Sequence, residues 1–350
     1  EINRISIDVL ENLFQKISTT QKLPIPKNNN GKLTISLQQN IRIQRNGITT
    51  PLIHFLKEEL NFANSEFFIK KKSGKNTFGT ERYFKLVEET ENEIIIPRGF
   101  IGKLLRFCKE QKIDFDFQDH RKLKESINFS FHATLRTHQN KAVESVSKKD
   151  FGVIVAPPGS GKTIIGLKII SEKKQPALIV VHRIQLLGQW QERVQAFLGI
   201  PKHEIGIIGK GKTKIGKQIT IATIQSLPKQ IEQIQNQFGT ILLDECHHIP
   251  AETFRSTIEK LNTFYLYGLT ATPFRKYNDG KLIFAFLGEI ISEVESTEIE
   301  NFKHAQIIVR NTNLDIPFNS KTESFETLSK ILIHDSERNK LILNDIKIEL

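Results

Sequence analysis

The residues best suited to chemistry in this chain lie in a glycine-rich turn at residues 156–163, APPGSGKT. A short apolar run precedes the turn, and apolar residues at helical spacing follow it. Gly159 and Gly161 let backbone N–H groups curl around phosphates, where a helix N-terminus favours negative charge. Lys162 can reach the β- and γ-phosphates, and the Thr163 hydroxyl can bind Mg²⁺. The turn therefore predicts a triphosphate site, with a chance glycine-rich turn as the alternative; its first position is Ala instead of the usual Gly.

A second polar group follows the apolar run Ile241–Leu243 and has the sequence DECHH, residues 244–248. Ligands bind at the carboxyl ends of strands in open α/β sheets. Asp244 would hold Mg²⁺ through water, and Glu245 would orient or deprotonate an attacking water. Two alternatives stay open: a solvated acidic turn, and a metal site built from the cysteine and histidines. The metal site is disfavoured because consecutive side chains seldom point at one ion.

A third candidate is the sequence Thr-Ala-Thr-Pro at the end of another apolar run, Phe264–Leu269. The hydroxyls of Thr270 and Thr272 can hydrogen-bond toward Asp244 and Glu245 and toward bound nucleic acid. The same sequence is also an ordinary turn at the end of a strand. The sequence is evidence for function mainly because of its order and spacing relative to the first two groups.

Length and composition limit the fold. The 350 residues are 38% hydrophobic and 25% charged, which excludes wholesale disorder and a fibrous repeat and favours two domains. No apolar run approaches the roughly 20 residues of a membrane span. Lysine and arginine number 50 against 39 acidic residues, a net charge of +11. Such a basic surface favours a polyanionic partner but is weak evidence alone.

Cys108 and Cys246 lie far apart and in no CxxC pair, which disfavours a disulfide scaffold or a thiolate zinc site and fits a reducing compartment. No secretion signal is recognisable. We therefore expect a cytoplasmic protein without a membrane partner. Because the sequence contains no Met, we also expect it to be a fragment.

These groups need strands and helices to position them. From about residue 133, apolar runs such as Ala177–Val181 and Ile219–Thr223 alternate with helical stretches, which predicts a parallel sheet covered on both faces. Residues 41–43, 84–87 and 94–96 resemble strands before this point, and residues 52–60 and 100–111 resemble helices, so a small mixed α/β unit should come first. Lys70 to Lys75 and the lysines of 210–217 look like basic loops.

In sequence order, the motifs resemble those of the superfamily 2 helicases. Their sequences are LRTHQ at 135–139, APPGSGKT, VHR at 181–183 followed by QW at 189–190, TIQSL at 223–227, DECHH, and GLTATP at 268–273. The resemblance is strong over about 133–290 and looser over 50–130. The branch is similar to the repair and phage recombination helicases and the type III restriction motor subunits, and most of all to the helicases of TOTE-type conflict systems.

The resemblance implies an ATP-dependent DNA helicase or translocase with ATP and Mg²⁺ as cofactors. It assigns catalysis to Lys162, Asp244 and Glu245 and the metal to Thr163 and Asp244. It places the nucleotide on Arg136, Gln139, Pro158, Gly159, Ser160, Gly161, Lys162 and Thr163. It places nucleic acid on Arg183, Gln225 and Ser226, and it makes His247, Thr270 and Thr272 the residues that couple hydrolysis to movement.

Several of these residues also have a purely structural interpretation. Gln139, which would recognise adenine, can be a surface helix residue, and Gln225 and Ser226 can cap a helix. Trp190 is better explained by a core position than by base stacking. The carboxylates at 114, 116 and 119 fit a strand with one polar face better than a nuclease metal site.

The resemblance implies an α/β fold in which a small mixed α/β domain precedes a parallel-sheet, RecA-like, P-loop NTPase lobe. The boundaries would be 1–30 (helix and linker), 31–130 (accessory domain, DNA grip), 131–295 (ATP-binding lobe) and 296–350 (connector toward a second lobe). No arginine-finger motif appears before Leu350, so hydrolysis by this fragment alone should be slow. The alternatives are a nucleotide-gated DNA-binding module, or the motor of a restriction or anti-phage system with a nuclease or primase partner.

Overall fold

The structure, a computed structural model, describes residues 32–248, 257–272, 280–295, 298, 309–312 and 325–349. Contacts group the chain into two units, Glu1–Glu300 and Asn301–Leu350. The helix and linker predicted within residues 1–30 lie outside the described residues. The predicted domain boundaries stay predictions.

A mixed sheet forms from the first part of the chain, in the strand order β5-β6-β2-β1-β7. Only β7 runs parallel to its neighbour, β1. Alternate residues of β1 and β2 are buried and share one apolar core with helices α1 and α3. The strands of this part are β1 (Leu33–Leu37), β2 (Asn40–Gln44), β3 (Asn61–Ala63), β4 (Tyr83–Lys85), β5 (Glu88–Glu89), β6 (Glu93–Pro97) and β7 (Phe115–Asp119). The helices are α1 (Thr50–Leu60), α2 (Ser65–Lys72) and α3 (Ile101–Glu110), and β3 pairs with β4.

The prediction of a basic loop at Lys70 to Lys75 is wrong for its first three residues, which form the last turn of α2. Asn64 caps the start of this helix by accepting from the backbone N–H of Glu66, and an ion pair joins Glu66 to Lys70 at 2.6 Å. Lysines at a helix C-terminus also interact favourably with the helix dipole. The run of positive charge therefore stabilises the helix instead of preventing it.

Eight strands of the described chain form a second sheet, in the order β11-β10-β12-β9-β13-β14-β8-β15. Every neighbouring pair is parallel except β10 and β11. The strands are β8 (Phe151–Val155), β9 (Ala177–Val181), β10 (Gly206–Gly209), β11 (Lys212–Lys214), β12 (Ile219–Thr223), β13 (Thr240–Leu243), β14 (Tyr265–Thr270) and β15 (Ile290–Glu293). The helices of this part are α4 (Thr137–Ser147), α5 (Lys162–Lys173), α6 (Ile184–Leu198), α7 (Ile231–Ile234) and α8 (Gly280–Leu287).

Burial explains why these strands are apolar throughout. Every residue of β9, β12 and β13 is buried, as expected for parallel strands covered on both faces. The predicted α/β fold with a parallel sheet is confirmed. Since the parallel strands share a direction, the residues that follow β8, β9, β12, β13 and β14 meet at one edge of the sheet. The end of β14 lies there between the ends of β8 and β13.

Two arginines that follow strands of the first sheet, Arg98 after β6 and Arg121 after β7, dock onto the opposite edge of the second sheet. Arg98 donates from Nη1 to the Thr263 carbonyl at 2.9 Å and from Nη2 to the Phe264 carbonyl at 3.0 Å. Arg121 donates to the same Phe264 carbonyl at 3.1 Å, and both guanidinium groups lie over the ring of Phe151. Burial lowers the pKa of Arg98 to about 9, so the group is still charged at neutral pH. The start of β14 thus anchors both segments.

The carboxylates at 114, 116 and 119 belong to or flank β7, and Asp119 forms an ion pair with Arg121 at 2.7 Å. Both cysteines are free and buried. The second unit contains α9 (Phe325–His334) and α10 (Ser336–Glu349), where the sequence predicts two successive helices. Within the described residues, no helix has the length and apolar character that a membrane span requires.

Candidate functional site

The glycine-rich turn follows β8 and opens α5. Gly161 is the N-cap of α5 with φ of +83°, a left-handed conformation that glycine adopts without strain. A Cβ at Gly161 would lie 2.4 Å from Nε2 of Gln139, so close packing also requires glycine here. Pro158 and Gly159 are exposed on the outer side of the turn. The turn therefore offers backbone N–H groups and a helix N-terminus to an incoming anion.

The start of α4 holds this turn from the side. Gln139 donates from Nε2 to the Ser160 carbonyl at 2.9 Å, and His138 Nε2 donates to the same oxygen at 3.0 Å. The other end of the Gln139 amide accepts from the backbone N–H of Arg136 at 3.0 Å. Gln139 is thus buried and uses both ends of its amide within the protein. Its predicted contact with adenine, and that of the exposed Arg136, stay predictions.

Lys162 lies between the turn and the end of β13. Its Nζ donates to the Ala156 carbonyl at 3.3 Å and lies 3.3 Å from Oε1 of Glu245. Lys162 and Glu245 are 83 residues apart in sequence, and the strand order brings them together. Thr163 follows Lys162 within the first turn of α5. The sheet edge therefore unites the phosphate turn with the acidic pair.

Asp244 is buried and has a partner that the sequence does not predict. The indole N–H of Trp190, on α6, donates to Oδ2 of Asp244 at 2.8 Å. Burial raises the pKa of Asp244 above its ordinary value, an effect that the neighbouring Glu245 adds to. The Trp190 hydrogen bond and the charge of Lys162 oppose this rise. Trp190 is itself 2% exposed, so it occupies a core position, as the helical pattern predicts, and also contacts the site.

Glu245 occupies a left-handed backbone conformation, with φ of +46°. Such a conformation is uncommon for a residue with a Cβ and is often found at functional sites. Its Oε2 atom is buried and has no hydrogen-bond partner among the described residues, and Nδ1 of His247 lies 3.3 Å away. An unpartnered buried carboxylate oxygen is suited to accept a hydrogen bond from a bound water.

A hydrogen-bonded chain leads from His247, which follows the acidic pair, to the end of β14. Nδ1 of His247 and Oγ1 of Thr270 are 2.7 Å apart. Thr270 then donates to the Thr272 carbonyl at 2.9 Å and accepts from the Thr272 N–H at 3.1 Å. The structure thus brings together the three residues predicted to couple hydrolysis to movement.

The three predicted nucleic-acid residues share the same sheet edge. Arg183 is exposed and is the N-cap of α6, which has no side-chain cap. Gln225 donates from Nε2 to the His182 carbonyl at 3.0 Å, which ties the end of β12 to the end of β9. Ser226 shares a 2.7 Å hydrogen bond with the Thr223 hydroxyl, so neither Gln225 nor Ser226 caps a helix. Their contacts with nucleic acid stay predictions.

Comparison with known proteins identifies this part of the chain. Residues 132–275 match the family described as the type III restriction enzyme res subunit. This segment is similar in sequence to the restriction-motor branch of the superfamily 2 helicases. We call the part of the chain that carries the eight-stranded sheet the helicase lobe. The match agrees with the resemblance that the motifs predict. The closer similarity to TOTE-type helicases stays a prediction.

Two curated relatives align with the same part. The DNA 3'-5' translocase XPB2 of Sulfurisphaera tokodaii is 36% identical over 184 residues, which cover 51% of this chain and 41% of the relative. The DNA 3'-5' helicase XPB of Mycobacterium tuberculosis is 31% identical over 162 residues, covering 44% of this chain and 29% of the relative. The chain thus matches less than half the length of these relatives.

One solved structure shares the fold over a larger part of the chain. The UvsW helicase of bacteriophage T4 aligns with a TM-score of 0.58 at 18% identity, covering 75% of this chain and all of that one. This structural match covers more of the chain than the sequence matches to the two curated relatives do.

Proposed function

We propose that this chain binds ATP with Mg²⁺ and couples ATP hydrolysis to movement along DNA. The observation that carries the proposal is the meeting of Lys162, Glu245 and Asp244 at one sheet edge beside the phosphate turn, where Glu245 Oε2 has no hydrogen bond among the described residues. A cation for phosphates, a carboxylate for water and a buried carboxylate for a metal are three of the parts that ATP hydrolysis uses.

In this proposal, the nucleotide phosphates occupy the turn between Pro158 and Thr163. Lys162 leaves Glu245 and binds the β- and γ-phosphates, where its charge is better compensated. Glu245 then has one oxygen released from Lys162 and a second, Oε2, already unpartnered. It orients the attacking water and accepts its proton. Hydrolysis therefore depends on an exchange of partners that the nucleotide itself causes.

The residues at this edge fit a magnesium ion. Mg²⁺ prefers oxygen ligands and is usually held by one or two protein side chains together with substrate phosphates. Asp244 supplies a buried carboxylate with Oδ2 fixed by Trp190, and Thr163 supplies a hydroxyl on the first turn of α5. Among the described residues, no group of three or more Asp, Glu, His or Cys side chains could hold a metal alone. When bound, Mg²⁺ neutralises phosphate charge.

DNA is the proposed track because the aligned relatives are named a DNA translocase and a DNA helicase. Arg183, Gln225 and Ser226 supply polar groups at the ends of β9 and β12, and the N-terminus of α6 supplies backbone N–H groups that no side chain caps. Contacts of this kind bind phosphates without sequence preference, which suits a motor. The His247–Thr270 hydrogen bond would transmit the state of Glu245 to the end of β14. A nuclease or primase partner and a cytoplasmic location stay predictions.

ATP turnover with and without DNA tests the proposal, with Lys162→Ala as the comparison variant. We expect DNA to raise the turnover rate of the wild-type chain and the variant to lose both basal and stimulated turnover. Turnover that survives Lys162→Ala would contradict the assignment. A DNA affinity that depends on nucleotide, without any turnover, would instead indicate a nucleotide-gated binding module.

A further inference from the structure

A short hairpin at the edge of the helicase lobe carries lysines that the nucleotide site does not use. The sequence predicts a basic loop here, but β10 and β11 pair as antiparallel strands, with Gly209 opposite Lys212. Lys210 and Gly211 form the turn between them, and Lys210 has φ of +51°. The turn therefore follows the end of β10, on the sheet edge where β9 and β12 also end.

The backbone at Gly209 packs between the two segments that carry the proposed nucleic-acid residues. A Cβ at Gly209 would lie 3.1 Å from a methyl of Leu187 and 3.2 Å from Oγ1 of Thr223. Leu187 lies in the first turns of α6, directly after Arg183, and Thr223 shares its hydroxyl with Ser226. The hairpin turn thus lies beside the two segments that carry Arg183 and Ser226, and glycine at position 209 permits this approach.

The lysines of the hairpin divide into two groups by position. Lys210 and Lys212 are exposed at the turn, and neither forms an ion pair among the described residues. Lys214 donates to the His203 carbonyl. Lys217 is also exposed, but it precedes the start of β12 and so lies toward the opposite edge of the sheet. The two charges of Lys210 and Lys212, which have no ion-pair partner among the described residues, therefore lie at the same sheet edge as Arg183, and the charge of Lys217 does not.

We propose that Lys210 and Lys212 bind DNA backbone phosphates and extend the track formed by Arg183, Gln225 and Ser226. The inference rests on the proposed function, because it assigns a further part of the surface to the same DNA. Lysine is a compact charge on a flexible stem, which suits phosphates whose position shifts as a motor moves. These contacts carry no sequence information and act through counterion release.

Lysines on an edge strand can have another role, which is to prevent pairing with the edge of another molecule. β11 is such an edge strand. In that case the charges would matter for solubility and not for DNA. The two roles differ in a measurable quantity, the dependence of DNA affinity on salt.

The test compares the wild-type chain, Lys210→Gln/Lys212→Gln and the control Lys217→Gln, whose lysine is exposed at the other edge. Glutamine shortens the side chain by little and removes the charge. The affinity for a fluorescein-labelled DNA duplex is measured by anisotropy over a series of KCl concentrations. Size-exclusion chromatography and thermal unfolding check that each variant is folded and monodisperse.

Each phosphate contact in duplex DNA contributes about 0.9 to the slope of log affinity against log salt. We expect the double variant to reduce the slope by about 1.8 and the control to leave it unchanged. An unchanged slope in the double variant, or an equal reduction in the control, refutes the inference while the proposed function stands. A wild-type chain that binds no duplex at any salt concentration refutes both.

Discussion

The indole N–H of Trp190 donates a 2.8 Å hydrogen bond to the carboxylate of Asp244. The two residues are 54 positions apart, and both are buried. Trp190 lies two turns into α6, the helix whose N-terminus carries Arg183. One rigid helix therefore connects the proposed DNA face with the proposed metal ligand. A displacement of α6 on DNA binding would move the group that orients Asp244.

Replacement of Trp190 by Phe removes this donor and keeps an aromatic ring in the core. Loss of a group that orients a metal ligand typically weakens metal affinity by 10- to 100-fold. We therefore expect Trp190→Phe to raise the Mg²⁺ concentration that half-saturates ATP turnover by about tenfold. Val194→Ala, on the same buried face of α6, is the control, because it destabilises the helix packing without a polar change. An unaltered Mg²⁺ requirement in Trp190→Phe would show that the indole serves packing alone.

Trp190 also provides a direct signal, because it is the chain's only tryptophan. Its indole reports on Asp244 through the hydrogen bond. We expect the intrinsic fluorescence of the wild-type chain to change when Mg²⁺ and a non-hydrolysable ATP analogue are added together. The same addition should leave the emission of Lys162→Ala unchanged.

The Thr270 hydroxyl can be tested by an isosteric change. Thr270→Val removes the hydrogen bonds to His247 and Thr272 while it keeps the shape of a fully buried side chain. We expect ATP affinity to persist and the stimulation of turnover by DNA to fall by up to about tenfold, since a single hydrogen bond contributes up to about 1.5 kcal/mol.

Thr240→Val is a matched control for this experiment. Thr240 is also fully buried, on the neighbouring strand β13, and its hydroxyl has no hydrogen-bond partner among the described residues. The replacement should be neutral or slightly stabilising, because no hydrogen bond is lost. DNA stimulation that falls equally in both variants would assign the effect to packing, and the proposed coupling would be wrong.

Arg98 offers a prediction about stability. Its buried guanidinium donates to two carbonyls of the helicase lobe, and Arg106 makes an exposed ion pair with Glu289 of the same lobe. Removal of a buried charged donor leaves carbonyls unsatisfied, so Arg98→Met should lower the free energy of unfolding by about 3 kcal/mol. Arg106→Met should lower it by less than about 1 kcal/mol, because exposed ion pairs contribute little. Thermal and urea unfolding measure both, and equal losses would contradict the anchoring role of Arg98.

Much of the helicase lobe is predictable from sequence because its central strands are buried on both faces. The runs at 177–181, 219–223 and 240–243 have the bounds of β9, β12 and β13, and the turns that follow them hold Arg183, Gln225 and Asp244 of the predicted site. The contact of Trp190 with Asp244 is not predictable, since helical spacing reports which face is buried and not which atom lies opposite. The hairpin β10–β11 is missed because its glycines and lysines have low strand propensity, and pairing along a sheet edge overrides that preference.

Cys108 yields the prediction about pH. Its thiol is fully buried on α3, and burial raises its pKa from the ordinary 9.0 to about 11. Between these two values the unfolded chain has lost the thiol proton while the folded chain retains it. The free energy of unfolding should therefore fall as the pH rises above 9 and be unaffected by this group below 9.

Other groups titrate in this range, so the quantity to measure is the difference between the wild-type chain and Cys108→Ala in urea unfolding at pH 8 and pH 10. We expect the wild type to lose more stability than the variant, by about 1 kcal/mol. If wild type and variant lose the same stability between pH 8 and pH 10, the folded chain tolerates the Cys108 thiolate and the prediction is wrong. Rapid labelling of native Cys108 by a thiol reagent at pH 8 would show that the thiol is not buried in the core beside α3.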